Sequence, residues 1–220
     1  MTKKILIILE MIKFSHSVFA LPFALAAMVV AAKGWPPSQT VALIVAAMVT
    51  ARSAAMAFNR IVDAEIDAKN PRTKNRHIPQ NIISKKFASI FTFVSVLLFF
   101  IVCHQINRLS FILSPVAMVI LLGYSFSKRF TWASQFWLGT SLGIAPIAAW
   151  IAVTGTVSMT PIWLGMAVLF WVTGFDILYA TQDYDFDREH GVHSLVARFG
   201  IKKSLNIAKL CHIVTLLLLL

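Results

Sequence analysis

Seven apolar runs, each long enough to cross a lipid bilayer, recur along this chain of 220 residues. A transmembrane helix needs about 20 consecutive, mostly apolar residues to cross the hydrocarbon core. With 58% hydrophobic and 13% charged residues, the composition excludes an ordinary soluble domain. We therefore predict an all-α fold, a polytopic bundle of transmembrane helices forming one domain over residues 1–220. The predicted spans are residues 14–32, 40–58, 87–106, 109–126, 133–153, 161–182 and 203–220.

The basic residues are concentrated on one side of the predicted membrane. The N-terminus and the 2–3, 4–5 and 6–7 connections hold most of the lysines and arginines, whereas the opposite connections hold only Lys33 and Arg108. Connections rich in Lys and Arg stay in the cytoplasm. We expect an integral protein of the bacterial inner (cytoplasmic) membrane, with its N-terminus and acidic loops in the cytoplasm. A nucleic-acid partner is not expected, because the positive charge is divided among separate membrane loops.

The acidic residues are confined to two clusters. Eight of the nine lie within residues 63–67 and 176–189, and Glu10 is the exception. Both clusters lie at the predicted cytoplasmic ends of long apolar segments. A charged side chain at the centre of a membrane helix costs about 2.5–3.5 kcal/mol on insertion scales, so carboxylates held near a bilayer are functional candidates.

The first cluster presents polar groups on one helical face. Asn59, Asp63 and Asp67 are spaced i, i+4, i+8 and therefore share a face. Arg52 lies on the same face about two turns deeper, among small residues that leave room for a close helix or a ligand. The plainer interpretation is a solvated helix end, but an intramembrane arginine with three further polar groups is more than a helix end requires.

The second cluster repeats the D-x-x-x-D spacing of the first. Asp176, Asp183 and Asp187 are predicted to share a face, and Asp176 lies in an otherwise apolar span. Mg²⁺ is usually bound by one or two carboxylates together with substrate phosphates and water. Two such pairs at the same side of the membrane predict two or more Mg²⁺ ions that hold a diphosphate.

Two basic segments fit the same hypothesis. Arg72 opens a basic stretch after the first acidic pair, and Lys128 follows Tyr124 and Ser125 at the end of the fourth span. Arginine and lysine donate charge-assisted hydrogen bonds to phosphate. The alternative, that these residues only anchor the cytoplasmic loops, stays open for each of them, although for Lys128 we favour a functional role.

Six stretches carry a resemblance to a known family. They are Arg52, Asn59-Arg60-x-x-Asp63-x-x-x-Asp67, Asn70-Pro71-Arg72-Thr73-Lys74-Asn75-Arg76 with Pro79, Tyr124-Ser125-x-x-Lys128-Arg129, Gly174-Phe175-Asp176-x-x-Tyr179-Ala180-x-Gln182-Asp183-x-x-x-Asp187, and Gly191-Val192-His193-Ser194. Their order and spacing resemble the UbiA superfamily of intramembrane aromatic prenyltransferases, specifically its 4-hydroxybenzoate polyprenyltransferase-like group.

The resemblance implies a fold and a reaction. Family members form a helical bundle, nine helices when complete, around a central cavity that is open to lipid. They transfer a polyprenyl group from polyprenyl diphosphate to an aromatic acid acceptor, with Mg²⁺ as cofactor. By match, the metal–diphosphate ligands and catalytic residues would be Asn59, Asp63, Asp67, Asp183 and Asp187. The substrate-binding residues would be Arg72 and Lys128 for phosphate, Arg52 for the acceptor carboxylate, and Tyr124, Ser125, Asp176 and Tyr179 nearby.

Two departures leave the acceptor open. Arg60 stands where ubiquinone-type members usually have Asp, and His193 where Lys is more usual. The run from Arg52 to Arg60 is more similar to members associated with the futalosine route to menaquinone. The acceptor is therefore 4-hydroxybenzoate or a dihydroxynaphthoate, in ubiquinone or menaquinone biosynthesis.

Other classes of membrane protein explain the pattern less well. A transporter with intramembrane acidic ion-binding sites remains the alternative, but it does not require basic phosphate-binding partners. A CDP-alcohol phosphotransferase is excluded, because its motif begins with an Asp-Gly pair that the sequence lacks.

The sequence finishes inside an apolar run, Leu216–Leu220, with no polar or aromatic anchor after it. Membrane spans usually end in interfacial anchoring residues. We expect a truncated chain that lacks about two C-terminal helices and retains all the recognisable motifs.

Overall fold

The computed structural model describes residues 2–13 and 21–220, and every regular element in this part of the chain is a helix. A 3-10 turn at Thr181–Asp183 joins α8 to α9. The α-helices are α1 Thr2–Met11, α2 Leu21–Ala32, α3 Ser38–Val62, α4 Ala64–Lys69, α5 Lys85–Ile106, α6 Arg108–Ser127, α7 Ser134–Thr154, α8 Met159–Ala180, α9 Tyr184–Glu189, α10 Leu195–Phe199 and α11 Ile201–Leu219.

The long helices coincide with the predicted spans. Five segments in the described residues are long and apolar enough to cross a membrane: α3, α5, α6, α7, and Met159–Glu189, which combines α8 with α9. The shorter apolar α2 covers the second part of the first predicted span, whose residues 14–20 lie outside the described residues. The seventh predicted span corresponds to α11, which carries three lysines in its first half.

The helices form a partial ring around a central space. α3 packs against α5 and α6, α6 packs against α7, and α7 packs against α8 and α2, while α11 covers the other side of α8. α3 and α8, which lead into the two acidic clusters, do not pack together along their lengths. We call the end of the bundle where α3 and α8 finish the acidic end, and the opposite end the far end.

A single residue, Asn107, connects α5 to α6 at the far end. Its Oδ1 accepts a hydrogen bond of 2.8 Å from the Ser110 backbone N–H, which caps the first turn of α6. Its Nδ2 donates to the Ile151 carbonyl oxygen at 2.8 Å, near the end of α7. One side chain therefore satisfies backbone groups of two helices, which matters in lipid, where water cannot supply the missing bonds.

A proline inside α6 is compensated by the residue before it. Pro115 has no backbone N–H, so the Phe111 carbonyl four residues earlier loses its normal partner. The Ser114 hydroxyl donates to that carbonyl oxygen at 2.7 Å. The helix thus continues past the proline without leaving this carbonyl unsatisfied.

α7 and α8 approach each other closely through glycines. Gly139 and Gly143 have the G-x-x-x-G spacing that permits close helix contact in membranes. A Cβ added to Gly143 would lie 2.6 Å from the Gly165 carbonyl oxygen, and one added to Gly165 would lie 2.6 Å from the Gly143 carbonyl oxygen. The contact is backbone against backbone, so a side chain at either position must separate the helices.

The C-terminal end of α1 packs onto the start of the first acidic loop. Met11 and Ile12 are buried in a cluster with Ala57 of α3 and Ile78 of the loop. The buried Arg60 donates from Nε to the Met11 carbonyl oxygen at 3.3 Å. α1 and the end of α3 are thereby joined by both apolar packing and a hydrogen bond.

We predict that Gly143→Val lowers the free energy of unfolding by about 2 kcal/mol, because the new side chain overpacks the helix contact. The measurement is thermal unfolding in detergent micelles. The control is Gly155→Asn, where no atom lies within 4 Å of an added Cβ and φ is +70°, a conformation that asparagine tolerates. Equal melting temperatures for the two variants would contradict the prediction.

Candidate active site

The first acidic pair lies where α3 ends. Asp63 is the residue that caps α3, and its side chain is 2% exposed. Its Oδ2 accepts hydrogen bonds from Asn59 Nδ2 at 2.9 Å and from Lys128 Nζ at 2.5 Å. Burial raises the pKa of the Asp63 carboxyl above its ordinary value, and the Lys128 charge opposes that rise. Lys128 comes from the end of α6, so this contact fixes α6 relative to α3.

Asp67 is paired with a residue from the loop that follows it. Arg76 Nη1 donates to both carboxylate oxygens of Asp67, at 2.8 and 2.7 Å. The Thr73 hydroxyl donates to the Asp67 backbone carbonyl at 3.1 Å. The loop after α4 therefore folds back over the first acidic pair and places its basic residues beside it.

Asp183 is bonded by the same loop. Asn70 Nδ2 and Arg72 Nε each donate to its Oδ1 at 2.9 Å, and Arg72 Nη2 donates to its Oδ2. Arg72 also donates from Nη1 to the Tyr179 hydroxyl at 3.2 Å, and its guanidinium carbon lies 5.1 Å from the centre of that ring. The hydrogen bond with Asp183 raises the pKa of the Arg72 guanidinium. These contacts connect the α3 and α8 sides of the bundle.

Asp187 has a different environment from Asp183. The 3-10 turn at Thr181–Asp183 interrupts the helix, so the single face predicted for Asp176, Asp183 and Asp187 is broken. The buried Asp187 accepts a 2.9 Å hydrogen bond from the hydroxyl of Ser194, which also caps α10. In the second acidic pair, Asp183 therefore has a cationic partner, whereas Asp187 has a hydroxyl partner.

A cavity of about 780 Å³ lies inside the bundle and is partly open to the outside. Arg52, Asn59, Tyr124 and Asp176 line it toward the acidic end, and most of the remaining lining is apolar. The Nε of Arg52 is buried and has no hydrogen-bond partner. A buried donor without an acceptor is costly, so this atom is suited to an acidic group that enters the cavity.

The structure therefore distributes the predicted site residues over two adjoining regions. Four line the cavity: Arg52, Asn59, Tyr124 and Asp176. Tyr179 does not line it but contacts Arg72, and Ser125 is buried with no partner for its hydroxyl. The charged network at the acidic end contains Asp63, Asp67, Asp183, Arg72 and Lys128.

Three residues of this network were not in the predicted set. Asn70 and Arg76 bond Asp183 and Asp67, and Ser194 bonds Asp187. Asn70 and Arg76 are the first and last residues of the Asn70–Arg76 motif, which was the available signal in the sequence. For Ser194, the only indication in the sequence was its place in the Gly191–Ser194 motif.

The acidic residues fit a hard cation by their chemistry. Within the residues described, no group of three or more His, Cys, Asp or Glu side chains is close enough to hold a metal by itself. Mg²⁺ does not require one, because it completes its shell with phosphate and water oxygens. The Asp63 Oδ1 is buried without a hydrogen-bond partner, so it has an oxygen lone pair to offer.

A profile of the UbiA prenyltransferase family matches residues 20–220. The chain belongs to this family. Among curated relatives, the 4-hydroxybenzoate octaprenyltransferase of Nitrosomonas eutropha is 33% identical over 189 residues. That match covers 86% of this UbiA-family chain and 66% of the relative, so the chain spans less than two thirds of the relative's length.

Solved UbiA homologs have the same fold. The apo structure of a homolog from Aeropyrum pernix K1 superposes with a TM-score of 0.86 at 31% identity, over 93% of this chain and 77% of that one. A homolog from Archaeoglobus fulgidus bound to GPP and Mg²⁺ has a TM-score of 0.79 at 20% identity, over 96% and 76% of the two chains. The prediction of an all-helical, integral membrane UbiA fold is confirmed.

We predict that Lys128→Met lowers the free energy of unfolding by about 3 kcal/mol, because it leaves the buried Asp63 carboxylate without its cation. Lys85→Met is the matched control, since Lys85 pairs at 3.9 Å with Glu65 and both side chains are exposed. That control should cost at most about 1 kcal/mol. Thermal unfolding in metal-free detergent compares the two.

A double variant separates charge from packing in this prediction. Asp63→Asn combined with Lys128→Met removes both charges and should recover most of the lost stability. If Lys128→Met is no less stable than Lys85→Met, the Asp63–Lys128 pair does not have the assigned role.

Proposed function

We propose that the protein transfers a polyprenyl group from polyprenyl diphosphate to an aromatic carboxylic acid, 4-hydroxybenzoate or a dihydroxynaphthoate, in ubiquinone or menaquinone biosynthesis. The observation that carries the proposal is the unpartnered Arg52 Nε in an apolar cavity, next to a network of carboxylates and basic side chains. A carboxylate-bearing ring fits Arg52, a diphosphate fits the network, and an isoprenoid fits the apolar lining. The name of the Nitrosomonas eutropha relative agrees with this combination.

We further propose that the acidic end faces the cytoplasm of a bacterial inner membrane, because it carries the basic connections. The water-soluble acceptor and the diphosphate head group of the prenyl donor then reach the network from the aqueous side. The isoprenoid tail of the donor stays in the membrane.

We propose Mg²⁺ as the cofactor, held by Asn59, Asp63, Asp67, Asp183 and Asp187. Bound there, Mg²⁺ would neutralise the diphosphate and make it a better leaving group. The Archaeoglobus fulgidus homolog was solved with GPP and Mg²⁺, and the donor set of this chain consists of the oxygen ligands that such an ion prefers.

The basic side chains of the network are proposed to change partners when substrate binds. Lys128 and Arg72 now neutralise Asp63 and Asp183, and Arg76 neutralises Asp67. Each can rotate from carboxylate to phosphate, because charge-assisted hydrogen bonds to the two groups are similar in strength and geometry. The same cations then stabilise the negative charge that develops on the leaving diphosphate.

The cavity supplies the environment for bond formation. The bond between the isoprenoid C1 and the diphosphate oxygen breaks, C1 becomes electron-deficient, and a ring carbon of the acceptor bonds to it. Tyr124, Trp171 and Phe175 line the cavity and offer aromatic faces to the developing positive charge. Arg52 holds the acceptor carboxylate. Asp176 is the acidic residue among the described residues that line the cavity, and it accepts the proton that the ring carbon loses.

The direct test is to incubate the purified protein in lipid with polyprenyl diphosphate, Mg²⁺ and each candidate acid, and to identify the product by mass. Prenylated 4-hydroxybenzoate or prenylated dihydroxynaphthoate decides the acceptor. The same incubation distinguishes a prenyltransferase from a transporter. A prenyltransferase releases diphosphate only when an acceptor is present, whereas a transporter cleaves no carbon–oxygen bond.

We predict that Asp63→Asn and Asp183→Asn each remove nearly all turnover while the protein still inserts and folds, because each loses a carboxylate needed at the diphosphate site. Steady-state turnover is the measurement, and size-exclusion chromatography checks folding. Asp185→Asn is the control, since Asp185 is exposed in the same segment. Near-normal turnover in either test variant would contradict the role of that carboxylate at the diphosphate site.

We predict that Arg52→Ala raises the KM for the aromatic acid at least tenfold and changes the KM for the diphosphate less than twofold. The reason is that Arg52 binds the acceptor carboxylate and not the isoprenoid. Arg52→Lys should recover part of the loss. Equal changes in the two KM values would count against this role.

A further inference from the structure

Residues 190–194, which we call the α9–α10 connection, are bound to both sides of the charged network. The His193 backbone N–H donates to the Lys128 carbonyl oxygen at 2.8 Å, and the Val192 backbone N–H donates to the Asp187 carbonyl oxygen at 2.9 Å. Lys128 ends α6 and pairs with Asp63 of the first acidic cluster, whereas Asp187 belongs to the second. One short connection therefore contacts residues from the two halves of the site.

The hydroxyl of Ser194 in this connection orients the Asp187 carboxylate. The buried Ser194 Oγ accepts a hydrogen bond of 3.1 Å from the Ala197 backbone N–H. A serine hydroxyl carries a single hydrogen, and in Ser194 that hydrogen is donated to Asp187 Oδ2 at 2.9 Å. The bond holds the carboxylate group in one rotation, so it also fixes the direction of the second oxygen, Oδ1.

A buried amide on α7 holds the α9–α10 connection in place. Gln135 is 3% exposed, and its Oε1 accepts hydrogen bonds from the Leu195 backbone N–H at 3.2 Å and from the Ser134 hydroxyl at 3.1 Å. Leu195, the first residue of α10, is fully buried in a cluster with Ile177 of α8. Loss of the amide oxygen would leave a buried backbone N–H without an acceptor, which is costly.

These bonds differ from the ion pairs of the network in their fate when substrate binds. In the proposed function, Arg72 and Lys128 turn from carboxylates to the diphosphate, so the ion pairs that connect the two sides open at that moment. The bonds of the α9–α10 connection use backbone groups, a hydroxyl and an amide, and none of them has to break. Because α3 and α8 do not pack along their lengths, this connection is suited to hold the two sides in place while the cations move.

We propose that Gln135 and Ser194 are positioning residues for the diphosphate site. Gln135 acts through Leu195, and Ser194 acts through Asp187. Together they keep the Asp187 carboxylate and the end of α6 in the arrangement that binds a diphosphate after the ion pairs have opened. The inference rests on the proposed function and adds two residues to it.

Binding of a diphosphate without prenyl transfer tests this role. The probe is inorganic diphosphate with Mg²⁺, and the rise in melting temperature with diphosphate concentration gives a dissociation constant. Ser194→Ala should raise this constant at least tenfold, as expected when a ligand loses the partner that orients it. Ser194→Thr keeps the hydroxyl and should stay within threefold of the wild type.

The matched control removes an equivalent helix cap elsewhere. Ser84 caps α5 by accepting a 3.1 Å hydrogen bond from the Phe87 backbone N–H. Ser84→Ala should lower the melting temperature of the free protein as Ser194→Ala does, but it should leave the dissociation constant of diphosphate within twofold. If the two variants change that constant equally, or if neither changes it, Ser194 is only a helix cap and the proposal is overturned.

A second variant covers the case in which Ser194→Ala does not fold. Gln135→Met keeps a side chain of similar volume but removes the acceptor for the Leu195 N–H. We expect it to raise the dissociation constant of diphosphate at least fivefold. An unchanged constant in the folded Gln135→Met protein would overturn the proposal.

Transfer measurements separate this inference from the proposed function. Ser194→Ala should raise the KM for polyprenyl diphosphate at least tenfold and the KM for the aromatic acid less than twofold. Equal changes in both would contradict a positioning role at the diphosphate site. If the wild-type protein binds diphosphate but transfers no prenyl group, the proposed function fails, while the positioning role is decided by the dissociation constants. If it binds no diphosphate, both fail.

Discussion

The pairing of buried carboxylates with basic side chains at the acidic end is the interaction on which the rest of the site depends. Asp63 and Asp67 are almost fully buried beside the hydrocarbon region, where an unpaired charge costs several kcal/mol. Their cations, Lys128 and Arg76, come from two different connections of the chain. Because Arg72 of one of these connections also binds Asp183, the pairs hold the α3 and α8 sides together, although α3 and α8 do not pack along their lengths.

This arrangement separates charge from hydrocarbon along the bundle axis. The ion pairs occupy the end, Arg52 lies below them as the deepest charged group on α3, and the remaining lining is mainly apolar. The polarity of the proposed substrate groups decreases in the same order, from the diphosphate to the aromatic carboxylate to the isoprenoid. The proposed reaction therefore needs no large movement of helices to bring its parts together; it needs only that basic side chains exchange carboxylate for phosphate.

The sequence predicted the helices well, because apolar runs of fixed length leave the chain little choice in a membrane. It also predicted the shared face of Asn59 and Asp63, which the hydrogen bond between them confirms. It could not predict that Arg76 pairs with Asp67 and Arg72 with Asp183, since that choice depends on how a 15-residue loop, residues 70–84, folds in three dimensions. The 3-10 turn before Tyr184 was missed for a similar reason: no proline or glycine marks it.

The one-residue connection at Asn107 has a consequence for how the protein is made. With a single residue between α5 and α6, only the short polar stretch His104-Gln105-Ile106-Asn107-Arg108 separates the two apolar helices on the far side of the membrane. A connection this short favours insertion of the two helices together as a helical hairpin. The Asn107 amide can donate to the Ile151 carbonyl only after α7 has also entered the membrane.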